Sequence, residues 1–205
     1  EALDKLVDRF EVREYGRHES VYRLDAPSDH VFFLARGIIK ISSWSDDGRE
    51  IIKQILHPIA MFGEMGLIGE AKRRDEATCL DKNTTLYVIP TASLSELLQN
   101  EKSFMLEFLK WIGQRLQRTE ARLEAMIFKD ARKRIIDFLI DTANKQGRRV
   151  GYEMLIRHCL TQQDIANLTG TSRQTVTSVL NELKKSNLIH FNRRTILIRD
   201  LSQLR

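Results

Sequence analysis

Between Leu160 and Ile189 the chain sets out side chains suited to reading a surface of hydrogen-bond donors and acceptors. Arg173, Gln174, Thr177, Ser178 and Asn181 recur at a spacing that a helix would gather on one face. An arginine fork matches the O6 and N7 acceptors of guanine, an amide matches adenine, and hydroxyls serve either a base or a phosphate. Arg193 and Arg194 follow Asn192 in a polar break between two apolar runs, where a basic tip suits phosphate oxygens. This is the chemistry of nucleic-acid recognition. Catalysis would need a nucleophile with its base, paired carboxylates or a metal constellation; no HExxH, GxSxG or P-loop occurs, and Gly63-Glu64 with Arg74 has no adjacent base. The chain is not expected to be an enzyme, and no metal site is expected.

The elements that must position these residues can be read locally. Thr161 and Asp164 resemble a capping pair opening a short helix through Leu168, Gly170 makes a turn, and Ser172 caps a second helix to about Lys185. Ile165, Val176, Leu180 and Leu183 point inward at helical spacing, while Ala166 and Gly170 are small enough for close approach. The spacing is that of a helix-turn-helix, and Thr161 and Ser172 are counted with its DNA-facing residues. Leu188 to Phe191 and Thr195 to Ile198 read as a hairpin around Asn192-Arg193-Arg194, which completes a winged helix. Upstream, Asp130 reads as the cap of a helix over Ala131 to Lys145, with Ile135, Ile136, Phe138, Leu139 and Ile140 on its apolar side. Gln146-Gly147 ends it, and Arg148 to Arg157 is a connector or a short strand.

The first half has a different texture. Short β-rich runs (Ser20 to Leu24, Val31 to Leu34, Ile38 to Trp44, Ile51 to Leu56, Thr84 to Ile89) are punctuated by turns such as Asp46-Asp47-Gly48, a pattern that predicts a sandwich or barrel. After Pro90 the pattern is helical to Lys129, with Thr91 or Ser93 as the cap. Within it Leu109, Ile112, Leu116, Thr119, Leu123 and Met126 repeat at alternating intervals of three and four, the seam of a coiled coil. That stripe either joins two chains or packs on its own barrel, a task open also to Phe104, Phe108 and Trp111; its regularity favours dimerisation.

Charge follows the same division. Residues 1 to 129 hold 19 Lys and Arg against 21 Asp and Glu, while residues 130 to 205 hold 14 against 7. A basic module beside a near-neutral one suits phosphate binding attached to a sensor. With 205 residues, 42% of them hydrophobic, the chain can bury a core. No apolar run approaches the roughly 20 residues that cross a bilayer, and Glu1 to Phe10 lacks a secretory pattern, so a cytoplasmic protein with no membrane partner is expected. Cys79 and Cys159 are far apart and lack metal-ligand spacing, which suggests two inert thiols.

Leu160-Thr161-Gln162-Gln163-Asp164-Ile165-Ala166, Gly170-Thr171-Ser172-Arg173-Gln174-Thr175-Val176 and Leu180-Asn181-Glu182-Leu183 resemble the DNA-binding signature of the CRP/FNR regulators. Phe62-Gly63-Glu64-Met65-Gly66-Leu67, followed by Arg73-Arg74, resembles the phosphate-binding cassette of that family's cyclic-nucleotide-binding barrel. The resemblance implies an α+β chain: a jelly-roll-like double-stranded β-helix barrel over 1–90, a dimerisation helix over 91–129 and a winged helix-turn-helix over 130–205. It implies a homodimeric bacterial transcription regulator on palindromic double-stranded DNA, with RNA polymerase and a small-molecule effector as candidate partners. The alternative is a cyclic-nucleotide-regulated adaptor without specific DNA binding, which would leave Arg173, Gln174 and the basic wing unexplained.

Carried over residue by residue, Gly63 and Arg74 would hold a cyclic phosphate, Glu64 would take a ribose hydroxyl, and Thr119 and Glu120 would stand where the dimer helix meets adenine. Asp75, however, replaces the family's small hydroxyl residue. A carboxylate about 4 Å from a phosphate opposes it by about 4 kcal/mol at an effective dielectric near 20, which disfavours cyclic AMP. Asp75 is instead expected to neutralise Arg74. An iron-sulfur cluster held by four cysteines of one chain is excluded by a count of two. Haem would need His18, His30 or His57, and a lone barrel histidine is more often a surface or turn residue. Asp25 stands where the family often has a turn glycine, and Ile59-Ala60 where Gly-Asp is common.

Overall fold

The computed structural model describes residues 9–204; residues 1–8 of the expected barrel segment and residue 205 lie outside it. The chain divides into two compact units, Glu1–Gln117 and Arg118–Arg205.

The first unit is a sandwich of short strands: β1 (Glu11–Tyr15), β2 (Ser20–Tyr22), β3 (His30–Arg36), β4 (Ile39–Trp44), β5 (Glu50–Leu56), β6 (Ala60–Phe62), β7 (Glu76–Cys79) and β8 (Thr84–Pro90). They form two antiparallel sheets ordered β1-β8-β3-β6 and β2-β7-β4-β5, the jelly-roll-like arrangement expected. Alternation decides which side chains face inward: Phe32 and Leu34 of β3, Ile39 and Ile41 of β4, Ala77 and Cys79 of β7 and Leu86 and Val88 of β8 bury together around Tyr22 and Phe62. Each large side chain so buried contributes about 1.5–3 kcal/mol. Burial also pushes the Cys79 thiol up to about 11, so it stays protonated at neutral pH.

β3 is buried on both faces. Val31 and Phe33 turn the other way and meet Leu94, Leu98, Phe104, Phe108 and Trp111 from the helices that follow. Those helices are two, α1 (Thr91–Asn100) and α2 (Lys102–Phe128), rather than the continuous one expected; Glu101 parts them in an extended conformation with φ −117 and ψ 94. Neither Thr91 nor Ser93 is the cap. Pro90 holds that position, and Thr91, the first helical residue, donates its N–H to the Asp29 carbonyl at 2.8 Å. A loop some sixty residues back satisfies the helix start, which no local spacing displays.

The left-handed turns persist where glycine is missing. Asp25 has φ 62 and Ile59 φ 68, a conformation that costs an L-residue roughly 1–2 kcal/mol. Hydrogen bonds hold both: Asp25 N–H to Arg73 O at 3.0 Å and Ile59 N–H to Leu34 O at 2.9 Å.

The second unit contains α3 (Ala131–Gln146), β9 (Arg148–Val150), β10 (Glu153–Arg157), α4 (Gln162–Thr169), α5 (Arg173–Lys185), β11 (Ile189–Phe191) and β12 (Thr195–Ile198). Asp130 caps α3 by accepting the Lys133 N–H at 2.7 Å. The stretch Arg148 to Arg157 is a hairpin turning at Gly151, whose φ is 63. It joins the wing in one sheet ordered β11-β12-β10-β9, and α3 packs on α4, α5 and β10.

His158, leading from β10 toward α4, is a weak point in this core. Its Nδ1 lies 3.0 Å from the Leu160 carbonyl, which makes that nitrogen the donor and leaves Nε2 bare and buried. Phe138, Leu139, Thr142, Ile156, Ile165 and Ile196 line the same cavity and none of them is titratable. Burial holds the imidazole pKa below its ordinary 6.5, against the opposing pull of the Leu160 carbonyl. The unfolded chain therefore binds the proton first, so this contribution to stability is complete above about pH 6.5 and declines as the pH falls through the folded value. We expect the urea midpoint of this unit to drop between about pH 7 and pH 5, with a shallower drop in His158→Phe; parallel profiles would remove His158 as the cause.

Candidate nucleic-acid interface

The two helices of the motif are fixed by their own ends. At the start of α4, Thr161 Oγ1 accepts the Asp164 N–H at 3.1 Å while the Asp164 carboxylate accepts the Thr161 N–H at 2.7 Å, a complete capping box. Gly170 closes α4 with φ 62 and ψ 46, left-handed values that suit glycine. Two residues later Ser172 Oγ accepts the Thr175 N–H at 3.0 Å and opens α5.

Val176, Val179, Leu180 and Leu183 bury one side of α5. On the opposite side Arg173, Gln174, Ser178 and Asn181 are exposed together. Thr177 lies on their edge, half-buried, its hydroxyl 2.7 Å from Gln162 Oε1 and 2.9 Å from Arg173 O. It ties α4 to α5. At the wing, Asn192 Oδ1 accepts the N–H groups of Arg194 and Thr195, each at 2.9 Å, and this tight turn leaves Arg193 and Arg194 exposed at its tip.

Two arginines that sequence reasoning passed over hold this frame. Arg134 of α3 donates to Thr169 O at 2.8 Å, Gly170 O at 3.0 Å and Lys129 O at 2.6 Å. Arg122 of α2 donates to Leu168 O at 2.7 Å. The last carbonyls of α4 lack partners within the helix, and a guanidinium there satisfies them and the helix dipole together. Neither arginine belongs to the motif, so no local spacing marks it.

The basic residues thus sort into two groups. Lys129 and Lys133 pair with Asp137 at 2.7 and 3.2 Å, Arg132 with Glu182 at 3.0 Å and Lys145 with Asp141 at 2.7 Å. Among the described residues Arg173, Arg193 and Arg194 form no ion pair, and all three are exposed. Their charges are available to phosphates or bases.

In the first unit the cassette is a tight 3-10 turn over Glu64–Ile68, entered at Gly63 in the left-handed region with φ 76. A side chain at Gly66 would meet the Ser28 carbonyl at 2.0 Å, so only glycine fits there. The arginine turned inward is Arg73, not Arg74. Arg73 lies 3% exposed over the Tyr22 ring at 4.5 Å and donates to Gly63 O at 2.6 Å and His30 O at 2.5 Å. Arg74 points out, its side chain 83% exposed, 3.4 Å from Glu70. Distant partners are the reason: the Gly63 and His30 carbonyls take the Arg73 guanidinium and its backbone pairs with Asp25 and Ala26, whereas Arg74 lies in the bend that precedes β7.

Asp75 therefore does not neutralise Arg74. Its carboxylate meets Lys53 Nζ at 2.9 Å and accepts the Tyr22 hydroxyl at 3.2 Å. Glu64 is 3% exposed and pairs with Arg115 of α2. Burial pushes its carboxyl up and Arg115 opposes the shift. Gly63, Glu64 and Asp75 are thus brought together, with Arg73 in the place expected for Arg74. Thr119 and Glu120 are exposed on the part of α2 that belongs to the second unit.

Along α2, Leu109, Leu116 and Leu123 are 56%, 57% and 60% exposed, Met126 and Thr119 are exposed, and Ile112 is half-buried. The barrel is met instead by Phe104, Phe108 and Trp111 on a neighbouring face. The stripe is not what packs α2 on its own barrel.

Comparison with known proteins bears on both units. A cyclic nucleotide-binding domain matches residues 12–101, and a Crp-like helix-turn-helix domain matches residues 133–205. A CRP-like cAMP-activated global transcriptional regulator of Mycobacterium tuberculosis is 28% identical over 203 residues, covering 99% of this chain and 90% of the relative. The structure of FixK2 from Bradyrhizobium japonicum superposes with a TM-score of 0.84 at 20% identity, covering 95% of each chain. The c-di-GMP responsive global regulator CLP of Xanthomonas campestris superposes with a TM-score of 0.80 at 22% identity, covering 96% of this chain and 98% of that one. With a sensor-type barrel and a Crp-like helix-turn-helix in this order along almost its full length, the chain belongs to the CRP/FNR family of transcription regulators.

Proposed function

We propose that the chain acts as a cytoplasmic homodimer that binds an inverted-repeat operator, working as a regulator rather than an enzyme and acting on transcription through RNA polymerase. The observation that carries this reading is the face of α5, where Arg173, Gln174, Ser178 and Asn181 stand exposed and Arg173 has no ion-pair partner among the described residues. Arg173, Gln174, Thr177, Ser178 and Asn181 face the major groove, Thr161 and Ser172 begin the helices that approach the backbone, and Arg193 and Arg194 lie on phosphates. Leu109, Ile112, Leu116, Thr119, Leu123 and Met126 form the seam between protomers. The working division is barrel 1–90, dimerisation region 91–129 and DNA-binding region 130–205.

The barrel is the sensor, and a cyclic phosphate does not fit its cassette. Arg73, the inward cation, is taken up by two backbone carbonyls, and Arg74 faces solvent. Asp75 would oppose a phosphate at about 4 Å by about 4 kcal/mol at an effective dielectric near 20 wherever its pairing with Lys53 is lost to the ligand. That is about half of the roughly 8 kcal/mol behind a micromolar affinity. The effector is a different small molecule or signal. Relatives differ in this respect too, one being cAMP-activated and another c-di-GMP responsive.

Inverted-repeat duplexes with half-site centres spaced from about 8 to about 13 base pairs test the proposal. Affinity should peak near one helical turn and remain unchanged on adding cyclic AMP to about 1 mM. A flat spacing profile would remove the two-fold reading, and a cyclic-AMP-dependent rise would show that the cassette admits the nucleotide.

A further inference from the structure

We infer that Arg157, at the end of β10, is a phosphate-contacting residue that continues the wing's basic edge toward α4; the inference rests on the DNA-binding reading above. The sheet register brings it there. Arg157 stands opposite Thr195 of β12, and the next residues on each strand, Ile156 and Ile196, pair and are buried at 1% and 3%. Arg157 and Thr195 therefore share the outer face, beside the turn that carries Arg193 and Arg194. The connection is fastened, since the His158 N–H donates to the Arg194 carbonyl at 2.9 Å. Displacing the wing tip would break that bond.

Two further observations point to a partner outside the chain. Arg157 is exposed and, among the described residues, forms no ion pair, whereas Arg199, just after β12, lies 3.9 Å from Glu153. Arg157 also precedes the α4 cap Thr161 by four residues, a reach of at most about 14 Å. The segment that leads from Arg157 to the cap, His158, Cys159 and Leu160, carries no acidic residue, and the carboxylate at the α4 N-terminus, that of Asp164, is engaged in the capping box. A point on the backbone rather than a base is the fitting ligand, because β10 belongs to the sheet and not to the helix that enters the groove.

The test measures the affinity of the full chain for an operator and for a random duplex across a salt series. Arg157→Ala should weaken both on the order of tenfold and lower the slope of log affinity against log salt by about 0.9 per protomer. Arg157→Lys, which keeps a point charge, should retain the slope. Lys145→Ala, which removes a charge already paired with Asp141 at 2.7 Å, should leave both unchanged. An Arg157→Ala slope equal to that of the unaltered chain overturns the assignment, as does a loss confined to one base position, which would mark a base contact. If the unaltered chain itself shows no salt-dependent duplex binding, the DNA-binding reading fails and Arg157 with it.

Discussion

The double variant Leu116→Lys, Leu123→Lys should sediment as a monomer while its far-ultraviolet circular dichroism stays that of the unaltered chain. Both leucines lie on the α2 stripe and are more than half exposed in the single chain, so neither lysine removes a contact that folds either unit. In a two-stranded seam the same positions face a partner, and four ammonium groups per dimer would replace four buried leucines. Operator affinity should fall with the dimer. Two half-sites bound by one molecule gain about 10²- to 10⁴-fold over one, and a monomer forfeits that gain. A variant that remains dimeric would place the protomer contact elsewhere and leave the α2 stripe without an occupant.

Arg173→Ala should cost about 1–3 kcal/mol of operator affinity, roughly 5- to 150-fold, and relax the preference at one base pair in each half-site. Because Arg173 is exposed and follows the Ser172 cap, the change leaves the α5 core of Val176, Val179, Leu180 and Leu183 untouched. The adjacent Gln174 carries an amide, which prefers adenine, so the half-site should carry adenine at the step that Gln174 reads. Arg193→Ala and Arg194→Ala should instead weaken all duplexes alike and flatten the salt dependence by about one unit per lost contact. If Arg173→Ala weakened operator and random duplex equally while a wing variant altered base preference, the roles of helix and wing would be reversed.

The parts of this architecture that were legible in the sequence are those stabilised by neighbours close along the chain. The capping box of Thr161 and Asp164, the Gly170 turn, the Ser172 cap and the Asn192 turn each close within a few residues, and the spacing shows them directly. What escaped depends on distant partners. β1 alternates charged and apolar residues weakly, and it is a strand because β8 supplies its hydrogen bonds. The break at Glu101 carries no Gly or Pro, and the start of α1 is satisfied from Asp29.

The cassette shows the same limit within two residues. Adjacent arginines at 73 and 74 are equivalent to a pattern, yet the carbonyls of Gly63 and His30 hold one in the core while the other points into water. Asp75 was legible as a carboxylate within the cassette but not as a partner of Lys53 and Tyr22, which come from other strands. Arg122 and Arg134 could not be assigned to the helix-turn-helix without the fold that brings their guanidinium groups to the α4 carbonyls.

Selection of bound sequences from a random duplex pool decides whether α5 reads DNA. Enrichment of an inverted repeat is expected, its half-site centres about 34 Å, or one helical turn, apart, since a two-fold dimer presents two α5 helices to successive major grooves. Arg173→Ala should lose the enrichment at one position of each half-site while keeping the spacing. A pool that emerges without an inverted repeat, from protein shown to be dimeric and folded, would contradict the assignment of α5 as the element that reads DNA.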